Sequence, residues 1–466
     1  MNFFTKYKPY YKQNLKLALP VILSQMGQIT VQLADTAMVG NYGGNDPVPL
    51  AAVSFATSVF FIVFITAMGV SFGLTPLVGE RYARGEERHA SELLQNGAVL
   101  FLLVGALATA MLLAIRPMFT YLGELMMGSG GDASISDVVT MALPYYDIIV
   151  WSIFPVMIWG TAKQFLEGIG NTRIAMVTII LSNAVNIFLN WVLIFGKFGF
   201  EPMGAVGAGW ATLIARVVQC VMMIAYFLCA KRFRNYTSGL FKAATIRLRT
   251  MWKILKVGAP IAFQMLMEAS AFALAGVLVL AFGAEQVSAY QIGVNMMNVT
   301  FMIVIAIGSA TTIICSHIYG RRNFERLRRS VNAAFQMGLM WNISVALIFV
   351  SLRFIIPTFF TANSEVIKLT ADMLILIALF QVSDCLQALS ISVLRGLQDV
   401  KIIMPIVFVS YVIFNIPVGY LLAFEAGFEV MGLVMGFIVG LSMCALLTSL
   451  RVRRDIKLFE RMSAEI

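Results

Sequence analysis

The stretch Gly199 to Gly204 (GFEPMG) returns 228 residues later as Gly427 to Gly432 (GFEVMG), and this repeat decides the fold. At the same offset, Phe165 to Met176 is similar to Val393 to Met404. An internal duplication in a strongly apolar chain is typical of secondary transporters, whose two halves rock against each other.

Long apolar segments recur along all 466 residues, of which 59% are hydrophobic and 12% charged. Soluble domains average about 25% charged residues. A spanning helix needs about 20 apolar residues, and a helix satisfies its own backbone polar groups in lipid. We therefore predict an all-α integral membrane fold with almost no strand. The twelve predicted spans are 14–40, 48–77, 93–115, 138–162, 174–196, 204–230, 255–281, 286–318, 331–352, 367–393, 402–424 and 430–450.

The two halves contain six spans each, so the second half has the same orientation in the membrane as the first. Lys16 to Pro20 (KLALP), for example, returns 240 residues later as Lys256 to Pro260 (KVGAP). We predict two parallel-repeat six-helix bundles around a central cavity, related by an axis along the membrane normal. The N-lobe covers residues 1–230, a cytoplasmic linker covers 231–250, and the C-lobe with a basic C-terminal tail covers 251–466.

The net charge is +10, but the basic residues are distributed along the chain as in a membrane protein, which argues against a nucleic-acid partner. Most of the 34 Lys and Arg residues, with Lys163 and Arg395 among them, fall in segments on one side of the predicted membrane. The exceptions are Arg116, Lys197, Arg353 and Lys368 on the other side and Arg216 within span 6. The positive-inside rule therefore predicts a multi-pass protein with both termini in the cytoplasm. All five cysteines lie in predicted spans, so we expect no disulfide framework and no metal motif.

Three carboxylates lie within predicted spans: Asp35 in span 1, Glu268 in span 7 and Asp384 in span 10. Each such group costs about 2.5–3.5 kcal/mol to insert. A hydrogen bond between helices does not require a group that ionises, so we predict a functional role for all three. Spans 1 and 7 are repeat equivalents, but Gln28 is the residue opposite Glu268, which indicates that the two lobes have distinct tasks.

Amide side chains form polar stripes on several spans. On span 1, Gln25, Gln28, Gln32 and Asp35 fall on one helical face. The other stripes are Asn183, Asn186 and Asn190 on span 5, Gln264 and Glu268 on span 7, Gln291, Asn295 and Asn298 on span 8, and Gln381, Asp384 and Gln387 on span 10. Such faces are costly in lipid, so we expect them to point inward. The alternative for each amide is a bond between helices, worth about 0.6 kcal/mol on average.

Arg216, midway along span 6, must be neutralised, and Asp147 and Asp35 are its candidate partners in a structural pair. Only two histidines are present, so a histidine proton relay or a metal site is not expected. The chain also lacks a phosphate-binding Gly-Lys-Ser/Thr loop. These observations argue against an enzyme, and a channel would not need a complete duplication with asymmetrically placed acids.

Three segments resemble one family of transporters. Ala34 to Gly40 (ADTAMVG), Gly168 to Asn171 (GIGN) and Asn186 to Asn190 (NIFLN) are similar to the multidrug and toxic compound extrusion (MATE) transporters, in their bacterial NorM-like branch. The resemblance covers the whole chain. It implies an antiporter in the bacterial cytoplasmic (inner) membrane that exports cationic amphipathic drugs in exchange for Na⁺ or H⁺. It implies no cofactor or metal beyond the coupling ion, here a transient Na⁺ or a proton, and one chain with both lobes can work as a monomer.

The resemblance also implies roles for residues. Asp35 looks like the N-lobe carboxylate of the family, with Asn186, Asn190 and Thr212 as neighbours. Glu268 looks like the C-lobe carboxylate, with Asp384 as its partner.

Three positions depart from the family pattern. Phe301 and Phe380 stand where tyrosines are expected, and position 190 is Asn where archaeal members have Asp. Because Na⁺ prefers oxygen ligands, these losses leave the choice between Na⁺ and H⁺ open.

We also predict a substrate cavity between the lobes. Its predicted lining residues are Gln25, Gln28, Gln32, Asn183, Gln264, Tyr290, Gln291, Asn295, Asn298, Phe301, Phe380 and Gln381. A lipid-linked oligosaccharide flippase of the same superfamily is the alternative function. Such flippases often have fourteen spans and basic cavities, whereas this sequence predicts twelve spans and acidic cavity residues.

Overall fold

The computed structural model describes residues 3–42, 48–128, 133–233, 236 and 246–464. Within these ranges the chain is helical and forms no strand. Twelve helices are long and apolar enough to cross a membrane, which confirms the predicted fold class. Their bounds are Tyr7–Tyr42, Val48–Ala83, Glu87–Phe119, Asp137–Gly168, Arg173–Phe195, Gly204–Cys229, Leu248–Phe282, Ala284–Arg321, Phe324–Ser351, Ser364–Gly396, Ile403–Glu425 and Glu429–Arg461, which we number as spans 1–12. Residues 234–235 and 237–245 of the predicted linker lie outside the described residues.

Several helices extend beyond their span or are interrupted within it. The first helix begins at Phe3, the helix of span 3 runs to Gly128, and the last helix ends at Ala464. The interrupted spans are span 2 (Val48–Ser71 and Leu74–Ala83), span 4 (Ala133–Trp151 and Ile153–Gly168), span 7 (Leu248–Val279 with the 3₁₀ turn Leu280–Phe282) and span 11, which alternates α-helix (Ile403–Phe408, Ile416–Tyr420) with π-helix (Val409–Asn415, Leu421–Glu425).

The repeated GFE segments form the tight connections between spans 5 and 6 and between spans 11 and 12. Gly199 has a φ of 88° and its repeat equivalent Gly427 a φ of 74°. Residues other than glycine rarely adopt this conformation, which explains why both copies have glycine here.

Helix packing follows the two halves of the chain. Among spans 1–6, which we call the N-lobe, span 1 packs on span 5, span 2 on span 4, and span 5 on span 6. Among spans 7–12, the C-lobe, span 10 packs on spans 8, 9 and 12. The lobes meet where span 1 packs on span 8 and where span 2 packs on spans 7 and 8.

Spans 2 and 7 touch across the lobe boundary through small residues. A Cβ atom added at Gly258 would stand 2.2 Å from the Val70 carbonyl oxygen, and one added at Gly73 would stand 2.6 Å from the Gly258 nitrogen. One turn away, a Cβ at Gly69 would stand 2.5 Å from the Ala262 Cα. The two backbones are therefore in direct contact, and we call Gly69, Gly73, Gly258 and Ala262 the small-residue seam.

Polar contacts close the lobe boundary at the end that has the termini and the basic loops, which we call the basic end. The His317 ring nitrogen Nε2 lies 2.7 Å from the Gly168 carbonyl oxygen, and Gln398 donates to the Glu80 carboxylate at 2.7 Å. In both contacts the two partners belong to different lobes. The basic end of the molecule is therefore closed.

The opposite half of the lobe boundary has exposed amide side chains. Spans 1 and 8 are linked where Asn14 donates to Thr311 at 3.2 Å and, further from the basic end, where Gln25 donates to the Met302 sulfur at 3.3 Å. Beyond this contact the amides on both helices are exposed: Gln28 and Gln32 on span 1, and Gln291, Asn295 and Asn298 on span 8. Because amides facing lipid are costly, we infer that these five side chains line a water-filled cleft between the lobes.

Candidate functional site

The N-lobe carboxylate lies in a chain of hydrogen bonds across three helices. Asn190 on span 5 donates from Nδ2 to the Asp35 carboxylate on span 1 and to the Asn186 amide oxygen at 3.0 Å. Asn186 in turn donates to the Thr212 hydroxyl on span 6 at 3.4 Å. Asn186 and Asn190 are one helical turn apart, so both amides point to the same side of span 5. The structure thus brings together the four N-lobe residues that the resemblance implied.

Arg216 follows Thr212 by one turn on span 6, and its charge lies among aromatic rings. The guanidinium carbon is 5.4 Å from the Phe60 ring centre and 5.2 Å from the Phe64 ring centre. The guanidinium also donates to the Ser152 hydroxyl at 2.5 Å. Cation–π contacts of this kind contribute about 0.5–2 kcal/mol each, more where water is excluded.

The predicted ion pair of Arg216 is wrong. Asp147 instead forms a bidentate salt bridge with Arg116, through hydrogen bonds of 2.8 and 3.0 Å, in a partly exposed position. Asp35 is close enough to Arg216 for an electrostatic interaction but forms no ion pair with it. The sequence could not reveal this because the two phenylalanines that flank the guanidinium come from span 2, which no spacing rule links to span 6.

In the C-lobe, a glutamine joins a carboxylate to an arginine. Gln264 donates from Nε2 to the Glu268 carboxylate at 2.8 Å, and its Oε1 accepts a hydrogen bond from Arg395. Arg395 is one of the basic residues predicted to lie on the cytoplasmic side. In the structure it precedes the last residue of span 10 and also lines a cavity between the lobes.

The other C-lobe acid is buried beside Glu268. Asp384 is 4% exposed, and Asp384 and Glu268 are close enough to interact electrostatically. The Tyr411 hydroxyl also lies beside Glu268 and accepts a hydrogen bond from Gln387 at 3.3 Å. Tyr411 lies in a π-helical segment of span 11, and such segments are frequent at functional sites. Tyr411 is not among the predicted site residues, and the two prolines of its span are the only feature of the sequence that could have drawn attention to it.

The cavity between the lobes has a volume of about 140 Å³ and lies on the basic-end side. Three of its lining residues are predicted site residues: Gln264, Glu268 and Phe301. The side chains that the sequence analysis did not assign to a cavity include Phe72, Thr75, Gln164 and Glu167 from the N-lobe and Thr312, Gln387 and Arg395 from the C-lobe. Both lobes therefore contribute charged and polar groups to one cavity.

Four other predicted site residues lie inside the lobes and do not line this cavity. Tyr290 is 3% exposed and donates to a backbone carbonyl of span 7 at 3.3 Å. Gln381 donates to the Thr300 hydroxyl at 2.6 Å, and Phe380 is 2% exposed. Asn183 is half-buried, with an amide nitrogen that has no partner among the described residues.

Comparisons with known proteins place the chain among others of this architecture. A family model described as MatE matches residues 20–192 and 260–421. The chain is 29% identical over 474 residues to "Probable multidrug resistance protein NorM" of Idiomarina loihiensis, covering 99% of this chain and 98% of that protein. It is 28% identical over 452 residues to "Multidrug resistance protein NorM" of Vibrio vulnificus, covering 96% of each. The crystal structure of the eukaryotic MATE transporter AtDTX14 superposes with a TM-score of 0.85 at 21% identity over 99% of each chain.

Proposed function

The chain belongs to the MatE family, as its sequence resemblance indicated, and we propose that it exports cationic, amphipathic compounds in exchange for Na⁺ or H⁺. Members of the family are membrane transporters and not enzymes. The proposal concerns the substrate class, the coupling ion and the alternating access that would link them.

The observation that supports this proposal is a pair of carboxylate sites, one in each lobe, within membrane-spanning helices. Asp35 accepts a hydrogen bond from the neutral Asn190 amide, and Glu268 is separated from Arg395 by the Gln264 amide. Neither acid forms a direct ion pair within the described part of the chain, so each can attract a cation. A cationic compound and a small inorganic cation would compete for such sites, and exclusive binding turns that competition into exchange.

The membrane potential drives the exchange when more positive charge moves inward than the cationic compound carries outward. Each net positive charge moved inward across 100 mV releases about 2.3 kcal/mol, which corresponds to roughly fortyfold in a concentration gradient. When the charges that cross are equal, the concentration gradient of the coupling ion is the driving force. In the described state the lobes are joined at the basic end, so the cleft with its exposed amides is open toward the other side. A rocking motion that opens the basic end would expose the same acids to the opposite solution.

The orientation of the protein in the membrane is inferred from the distribution of its basic residues. The basic loops favour a cytoplasmic basic end, with both termini on the cytoplasmic side of a bacterial inner membrane. One chain contains both lobes, so we expect the monomer to be sufficient. The comparisons do not favour the alternative of a lipid-linked oligosaccharide flippase, because the curated relatives are named as multidrug resistance proteins.

Efflux from proteoliposomes tests the proposal directly. Purified protein is reconstituted, ethidium is loaded, and sodium and pH gradients are imposed separately. We expect ethidium to move against its gradient when one of the two ion gradients is present and not when both are absent. Ethidium efflux that responds to neither gradient would contradict ion coupling, and no efflux of any cationic dye would contradict the substrate class.

A further inference from the structure

An arginine shares the interior of the N-lobe with Asp35. Arg216 and Thr212 are one turn apart on span 6, so their side chains point to the same side of that helix. Thr212 is the last residue in the chain of hydrogen bonds that begins at Asp35. Tyr145 on span 4 is close enough to interact electrostatically with both Asp35 and Arg216. A positive and a negative side chain therefore lie in the same part of the N-lobe, and both are half-buried.

The guanidinium of Arg216 is held by contacts that do not neutralise its charge. It donates to the Ser152 hydroxyl and lies against the rings of Phe60 and Phe64. Phe60 and Ser152 are buried, so the guanidinium is fixed by closely packed parts of spans 2 and 4. Arg216 forms no salt bridge with any described acid, and Asp35 interacts with it only through space. Its positive charge is therefore available to act on a ligand.

The C-lobe has an uncharged residue at the position equivalent to Arg216. The offset of 228 residues that aligns Gly204 with Gly432 also aligns Arg216 with Cys444. Cys444 is fully buried and is close enough to Glu268 to interact electrostatically. Each of the two positions therefore lies near an acid of its own lobe, but only the N-lobe copy is a cation. Because the C-lobe helix packs without a charge at this position, the repeated fold does not require one.

The charges of the N-lobe interior favour a ligand with one positive charge over a ligand with two. The formal charges of Asp35 and Arg216 cancel, so a bound monocation leaves one excess positive charge and a bound dication leaves two. Asp147, in the outer part of span 4, does not compensate because it pairs with Arg116. Repulsion between like charges is strong in a low-dielectric interior, where little water screens it. The second charge of a dication is therefore costly here.

We propose that Arg216 is a specificity-determining residue that restricts the N-lobe site to compounds with a single positive charge. The proposal rests on the proposed export function and adds a charge limit to it. A monocation can place its charge at Asp35 and its apolar part elsewhere in the lobe. A dication must also bring a second charge into the space that the guanidinium faces, so it binds more weakly. Removal of the guanidinium leaves the negative charge of Asp35 uncompensated, which favours the second positive charge.

Two phenanthridinium dyes with the same ring system test this charge limit. Ethidium has one positive charge, and propidium has a second one on a quaternary ammonium side chain. Efflux of each dye from proteoliposomes is measured at zero membrane potential, so that the charge of the dye does not alter the driving force, and the rate in protein-free liposomes is subtracted. We expect wild-type protein to export ethidium at least about tenfold faster than propidium, and Arg216→Gln to lower this ratio to about threefold or less.

Three further variants separate the charge of Arg216 from its bulk and its packing. Arg216→Lys retains the charge and should retain the wild-type ratio. Arg116→Gln removes a positive charge of the same lobe at a partly exposed position, so it is the matched control and leaves the ratio unchanged. Arg216→Met is used in case Arg216→Gln does not fold, because an unbranched apolar side chain can still pack on Phe60 and Phe64.

The outcomes distinguish the charge limit from the proposed function. An unchanged ratio in Arg216→Gln and Arg216→Met, whether or not both rates fall, overturns the charge limit and leaves Arg216 with a structural role. A lowered ratio in Arg216→Lys as well assigns the effect to bulk and also overturns it. Wild-type protein that exports propidium as fast as ethidium overturns the charge limit and leaves the proposed function intact. Wild-type protein that exports neither dye contradicts the proposed function itself.

Discussion

The two lobes hold their intramembrane charges in different arrangements, although their helices are repeats of one another. In the N-lobe, Asp35 bonds to a neutral amide, and Arg216 is held apart from it between two phenylalanines. In the C-lobe, Gln264 joins Glu268 and Arg395 into one network. A cation can therefore bind at the N-lobe acid without displacing an internal positive group, whereas at the C-lobe acid it competes with a tethered arginine.

This difference suggests that duplication preserved the packing of the helices more strictly than the placement of charge. Helix packing depends on the shape of many side chains, and one changed acid or base does not disturb it. Electrostatic interactions in a low-dielectric interior depend on single groups, so one substitution per lobe is enough to give each a separate task.

The largest expected effect comes from removing the N-lobe charge. Asp35→Asn retains the side-chain shape and the possibility of a bond to Asn190, but it abolishes the negative charge that attracts a cation. We expect ethidium efflux at the level of protein-free liposomes, with normal membrane expression. Asp147→Asn, at a partly exposed carboxylate of the same lobe, is the control and should retain most of the activity. Normal efflux by Asp35→Asn would remove Asp35 from the mechanism.

Removing the C-lobe charge should cost less, because that acid shares its network with Arg395. In Glu268→Gln the bond with Gln264 can persist, while a charge-assisted interaction worth about 1.5–3 kcal/mol is lost. That corresponds to roughly ten- to a hundredfold slower dye efflux. Glu325→Gln, at an exposed glutamate of span 9, is the matched control. If Glu268→Gln is as inactive as Asp35→Asn, the proposed difference between the lobes is wrong.

Tyr411→Phe tests whether the phenol of span 11 contributes to the C-lobe site. The change removes the hydroxyl beside Glu268 and leaves the Gln387 amide without its acceptor, at a cost of about 1–3 kcal/mol. We expect a higher concentration of the coupling cation for half-maximal efflux, by about fivefold or more. Tyr420→Phe in the same span changes an exposed tyrosine and should leave this concentration unaltered. An unaltered value in Tyr411→Phe as well would exclude its hydroxyl from cation binding.

The smallest expected effect comes from Thr212, the last residue in the chain of hydrogen bonds that begins at Asp35. Thr212→Val removes the acceptor of the Asn186 bond, which is long at 3.4 Å. A loss of about 0.5–1.5 kcal/mol in neutral bonding predicts less than about tenfold slower efflux. Thr66→Val, at a threonine whose hydroxyl donates to the Ile62 carbonyl of its own helix, is the control. A complete loss of efflux in Thr212→Val would show that the threonine oxygen is itself part of the cation site.

Much of the fold could be predicted from the sequence because apolar length and helical period act locally. The number of spans is confirmed, and Asn186 and Asn190 share a face of span 5, where Asn190 donates to Asp35. The polar stripe on span 1 was also informative, since Gln28 and Gln32 are exposed in the structure, as are the amides of the stripe on span 8.

Other features depend on contacts between helices that no local pattern contains. Arg395 stands one residue before the end of its helix, where a basic residue ordinarily faces the cytoplasm, and only the packing of the lobes encloses it. The repeat did contain a usable signal, because it aligns Arg395 with Glu167. The rings around Arg216 and the hydroxyl of Tyr411 gave no comparable signal, since they reach their partners from helices distant in sequence.

The small-residue seam has a kinetic consequence. Gly73 and Gly258 meet backbone to backbone, with no side chain interlocked between the two helices. Separation of the two helices at this contact requires no side-chain rotamer change, so the activation barrier to their separation is low. The rate at which the basic end opens should then be set by the polar contacts beside it, as His317 and Gln398 exchange their protein acceptors for water.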